Sequence, residues 1–166
     1  MSEERIEKSL AAMRRRVDQL DRGQRDALNA VRYAVFACTI AGTLLALTAT
    51  TWRAAADSDG AVADATTLWG MVPEGWQAAW TLIGVLIVAI GSIAVFLADV
   101  AGRPTHVVFI VFCALTVVGT FLVGQVEPAG FPDAEDGLSG PGRWLTLLAT
   151  LVLGVVHAAR AGELRR

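Results

Sequence analysis

Two histidines and one aspartate are the residues of this 166-residue chain best suited to holding a cofactor. Asp99, His106 and His157 border long apolar runs, and the topology derived below brings all three to one level. Two histidines on neighbouring helices can be axial ligands to a b-type haem, and two with a carboxylate can hold a metal. The competing reading is an ordinary one. His, Asp and Arg collect where helices meet water, and Asp99 with Arg103 forms an i, i+4 pair that stabilises a helix end. The sequence favours this interfacial role and keeps a haem at His106 and His157 as the alternative.

Other reaction chemistry finds no residues to run on. Cys38 and Cys113 fall at similar depth on the first and third apolar runs. In the inner leaflet of a reducing compartment they should behave as small apolar side chains rather than as a disulfide. The four-helix disulfide-forming enzymes of bacterial membranes carry Cys pairs on the outer side; this chain has none there, so that resemblance fails. Ser139-Gly140-Pro141-Gly142 lacks the strand–helix context and the basic residue of a phosphate loop, and no H-E-x-x-H is present. Asp133, Glu135, Asp136 and Gly137 lack the alternation that a calcium loop requires.

The elements that must position these residues follow from composition. Residues A, V, I, L, M, F, W, Y and C make up 54% of the chain and only 18% is charged, against about 45–50% and about 25% in soluble domains. That excludes a soluble enzyme, a DNA-binding domain and a disulfide-stapled secreted domain. Four runs, at about 31–51, 77–98, 105–124 and 144–159, are apolar enough to cross a bilayer. The last is short, with Arg143 and Arg160 at its ends to snorkel. In hydrocarbon the backbone must bond within its own segment, so the spans should be helices. The expectation is an all-α integral membrane protein: a cytoplasmic amphipathic helix over 1–30, an antiparallel four-helix bundle over 31–160 and a tail over 161–166. No ionisable side chain falls in the middle third of any span, which argues against transport or ion conduction by this chain alone.

Charge sets the expected orientation. Twelve of the fourteen Lys and Arg lie before the first run, in the second connector or at the C-terminus, and only Arg53 and Arg143 lie on the other side. The positive-inside rule then places both termini in the cytoplasm, with the first span an uncleaved signal anchor. Trp52, Trp69, Trp76, Trp80 and Trp144 collect at the outer ends of the runs and suit an interfacial anchor belt. The Ala, Gly, Val and Arg bias with a single lysine suggests a GC-rich bacterial genome and hence a plasma membrane.

Between the runs the detail is thinner. Ile6, Leu10, Met13, Val17 and Leu20 recur at heptad spacing, with Val17 at an a position and Leu20 at a d position, as in a parallel dimer. The alternatives are a helix lying on the inner leaflet, through Arg14, Arg15 and Arg16, or a solvated extension. In the first outer loop Asp64 is expected to cap a short helix ending at Gly70, and Pro73 to open the second span. Gly42 with Ala46 and Gly154 with Ala158 allow close helix approach. The sum of these readings is a non-catalytic accessory subunit or self-associating scaffold, bound to lipids and to a membrane partner or a second copy, with no nucleic acid. The alternatives are a small haem-binding redox carrier and an outer-leaflet lipid or ligand sensor built on the Trp-rich loop.

Overall fold

A computed structural model describes residues 3–56, 62–98, 102–125 and 138–165. The first element, α1 (Glu3–Leu47), is a single helix of 45 residues, about 68 Å long at 1.5 Å per residue. The polar arm and the first apolar run were expected to be separate pieces. They join because Arg25–Ala41 contains good helix formers and neither Pro nor Gly. The helix stops at Leu47, short of the expected Thr51. There the Thr48 and Thr50 hydroxyls donate to the Leu45 and Leu47 carbonyls at 2.7 and 2.8 Å, and β-branched threonines then favour an extended chain.

That chain corrects the all-α expectation. Strands β1 (Thr51–Ala56), β2 (Val62–Thr67) and β3 (Leu138–Ser139) form an antiparallel sheet in the order β2-β1-β3. Ala54 pairs with Ala65 on one side and with Leu138 on the other. The helix expected after Asp64 is therefore strand up to Thr67. Thr67 caps a single turn, α2 (Leu68–Met71), by accepting from the Gly70 N–H at 3.2 Å. Pro73 belongs to a separate 3-10 turn, Val72–Glu74, and the next long helix starts beyond it. Trp52, Leu68, Met71, Ala78, Leu82 and Val123 form the core beneath this sheet cap. Gly140 donates its N–H to the Trp52 carbonyl at 2.8 Å. A Cβ on Gly140 would overlap the Thr51 carbonyl, so only glycine lets the two backbones meet there.

The remaining long helices are α3 (Trp76–Ala98), α4 (Arg103–Val123) and α5 (Pro141–Glu163). With α1 they make four helices long and apolar enough to cross a membrane. The helices pack in a ring, α1 against α3 and α5, and α4 against α3 and α5. Helix α5 has 23 residues, more than its apolar run suggested. Pro141 in the first turn starts it early, and Arg143 and Arg160 lie within the helix. Helices α3 and α4 approach closely at three glycines, where Gly84 faces Thr116, Gly91 faces Phe109 and Gly119 faces Thr81. Ala37, Ala41, Leu44, Val85, Val88, Cys113 and Leu153 fill the central core. Ile83, Ile87, Val111, Val118, Leu148 and Val155 face outward. An apolar exterior on every long helix suits lipid and not water.

Candidate functional site

The two candidate histidines lie together inside the bundle. His106 is in the first turn of α4, and His157 is near the end of α5. Because the two helices run in opposite directions, these ends coincide. The rings are buried, His157 completely. Their Nδ1 atoms are 2.9 Å apart, and the Nε2 of His157 is 2.9 Å from the Ser92 hydroxyl of α3. One proton must lie between the two Nδ1 atoms. Either His157 donates to His106 and accepts from Ser92, or His106 donates to His157, which then donates to Ser92. In either arrangement both rings are neutral.

Aromatic rings enclose it. Phe109 stacks on His157 with centroids 5.0 Å apart and planes 12° from parallel. Phe96 tilts against both imidazoles, at 5.2 and 5.0 Å. Gly91 makes room for this, since a Cβ there would overlap the Phe109 ring. A polar trio in an apolar shell fixes the register of three helices, because any slip would strand its hydrogen-bonding groups.

The geometry does not fit a haem between these histidines. An ion held at roughly 2.0–2.1 Å from each imidazole nitrogen needs those nitrogens about 4 Å apart on opposite sides. Here the facing nitrogens bond each other at 2.9 Å, and the second nitrogen of His157 is taken by Ser92. Among the described residues no group of three or more His, Cys, Asp or Glu could hold a metal ion. Asp99, and with it the Asp99–Arg103 pair, lies outside the described residues, as does the acidic stretch from Asp133 to Gly137.

Polar contacts tie the two ends of the bundle. Near the end of α5, the Tyr33 hydroxyl donates to Glu163 at 3.0 Å, and Arg160 bonds the same carboxylate at 3.2 Å. The Arg160 guanidinium also lies 5.9 Å from the centre of the Tyr33 ring. At the sheet end, Arg143 donates to the Thr120 and Phe121 carbonyls at 3.1 and 3.3 Å and to the Ser139 hydroxyl at 2.7 Å. It thus satisfies the C-terminal carbonyls of α4, in addition to flanking a span. Cys38 and Cys113 are both free thiols.

The five tryptophans divide. Trp69, Trp76, Trp80 and Trp144 are exposed, as an anchor belt requires. Trp52 is not; its ring is fully buried and its Nε1 donates to the Leu47 carbonyl at 2.9 Å. The strand explains the correction, since alternation along β1 turns Trp52 and Ala54 inward. Of the two small-residue pairs, Gly42 and Ala46 face away from the bundle, whereas Gly154 meets Cys113 across α4 and α5.

The arm is the other candidate. Residues 7–29 of α1 are all exposed. They include Leu10, Met13, Val17 and Leu20, at 52%, 61%, 62% and 74% exposure. No described part of the chain covers this face; the side chain of Ile6, its fifth member, lies outside the described residues. Comparison with protein-family models, with curated proteins and with solved structures finds no match.

Proposed function

We propose that this chain is a non-catalytic multi-pass protein of a plasma membrane, with both termini in the cytoplasm, that works by holding a partner. It is an accessory subunit or a self-associating scaffold. The observation that carries this reading is the exposed row of Leu10, Met13, Val17 and Leu20 on the stretch of α1, residues 7–29, that no other described element covers. Each such side chain contributes about 1.5–3 kcal/mol when fully removed from water. A solvated extension has no need of that row, whereas a docking arm does. The continuity of α1 supports an arm that projects from the bilayer, because lying on the inner leaflet needs a bend between the arm and the span.

The contacts around His106 and His157 join helices of this chain to one another, which fits a structural role for the histidines. The test is co-purification. Full-length chain extracted in a mild detergent should bring an associated chain with it. The double substitution Val17→Asp with Leu20→Asp, on a surface that touches no other described element, should cut that recovery at least tenfold and leave the bundle folded. Equal recovery from the substituted chain would remove the arm from the account.

A further inference from the structure

We infer that the occupant of the α1 face is a second copy of this chain, docked in parallel along the arm and on through the first span. This rests on the docking-arm reading above and names its partner. The first argument is helical phase. At 3.6 residues per turn, Leu10, Met13, Val17 and Leu20 occupy about 80° of the α1 surface. The same sector then carries Gln24, Val31, Val35, Gly42 and Ala46 in turn, and every one of them is exposed. The residues that α1 buries in its own bundle, Ala37, Ala41, Leu44 and Leu47, centre about 150° away. Apart from Cys38, half-buried at the sector's edge at the same angle as Leu20, this face runs the length of the helix clear of the bundle contacts. At Gly42 this face is open, with nothing within 4 Å of where a Cβ would stand.

The second argument is charge complementarity between copies. With Leu10 and Val17 at a positions and Met13 and Leu20 at d, Arg16 falls at g and Asp21 at the following e. In a parallel two-stranded coil a g residue meets the next e residue of its partner, so Arg16 of each copy faces Asp21 of the other, twice by symmetry. Asp21 also bonds Arg25 of its own helix at 2.7 Å, on the exposed surface, and its second carboxylate oxygen can take the crossing guanidinium. Gln24, at an a position, meets its own counterpart across the axis.

The third argument is direction. Two copies inserted the same way in one bilayer are related by rotation about the membrane normal, which makes their α1 helices parallel. A β-branched Val at a with Leu at d favours two strands in that direction. A chain of other sequence would have to supply both the opposite charges and the direction; a second copy supplies both at once.

Disulfide trapping tests this in native membranes. In a full-length Cys38→Ser, Cys113→Ser background, single cysteines are placed at Met13, Val17, Leu20, Gly42 and Ala46, and at the opposite-face positions Arg15 and Arg22. Oxidation with copper-phenanthroline should give a covalent dimer at the first five positions and at least fivefold less at Arg15 and Arg22. Arg16→Asp should lower the dimer yield of the Leu20→Cys chain several-fold, and adding Asp21→Arg should restore it. A flat profile across all seven positions means random collision and overturns the proposal. Absence of self-dimer alongside photo-crosslinking from position 17 to a different protein overturns the second copy and leaves the docking arm standing. Absence of both, from chain that folds, overturns both.

Discussion

His157→Ala should destabilise the bundle by about 3–5 kcal/mol, the range for emptying a fully buried aromatic-sized site. His157 is completely buried between Phe96 and Phe109, so its removal leaves a void lined by rings that cannot close on one another. It also leaves the Ser92 hydroxyl and the His106 Nδ1 without their partner. Ser92→Ala isolates the smaller part of this effect, because it removes one hydrogen bond and little volume. Hydrogen bonds across membrane helices contribute about 0.6 kcal/mol on average and up to about 1.7 kcal/mol. In detergent, thermal unfolding of His157→Ala should fall by roughly 10 °C, at about 2–4 °C per kcal/mol for a domain of this size. Ser92→Ala should move it by only a few degrees. Equal, small shifts for both would mean that His157 is not packed as described.

Trp52→Ala should cost as much, about 3–5 kcal/mol, for a different reason. The Trp52 ring is the largest side chain in the core under the sheet, in contact with a cluster that includes Leu68, Met71 and Leu82. Its indole N–H bonds the Leu47 carbonyl at the end of α1, which also accepts from the Thr50 hydroxyl and N–H. Losing it should loosen the turn from α1 into β1 and the Gly140 backbone, just after β3, that bonds the Trp52 carbonyl. Trp76→Ala is the control. Trp76 is 67% exposed at the start of α3, and its loss should leave unfolding in detergent within about 0.5 kcal/mol of the parent. The expected order is thus opposite for two residues that look alike in the sequence.

Trp52 shows where residue type misleads. Indoles suit both a membrane interface and a core, and all five tryptophans lie at or beyond the outer ends of apolar runs. What separates Trp52 is the neighbouring pattern: Thr51, Trp52, Arg53 and Ala54 alternate in burial, a period-two signal masked by its closeness to a span. The four long helices were legible because hydropathy over some twenty residues outweighs local detail. Their ends were not, since Pro141 extends α5 and the Thr48 and Thr50 hydroxyls shorten α1 through local hydrogen bonds.

The histidine site was half legible. Topology puts His106 and His157 at one level, but whether they touch depends on how each helix is rotated. A phase signal exists: Thr146, Thr150, Leu153 and His157 recur at spacings of four, three and four, and all are buried. Read together they mark the inward face of α5 and draw His157 inside. Ser92 has no such signal of its own, because a serine in an apolar helix looks the same whether it bonds its own backbone or a neighbour. The sheet cap was not legible, as β3 lies far from β1 in sequence and only their pairing defines it.

The most direct measurement of the whole account is the protein mass of the particle that full-length chain forms in a mild detergent, with the bound detergent and lipid subtracted. One chain weighs 17.6 kDa. An arm that holds a partner predicts a particle of at least two chains, falling to a single chain when Val17 and Leu20 both become Asp. A homogeneous particle of one chain, of the same mass with and without those substitutions, would contradict it.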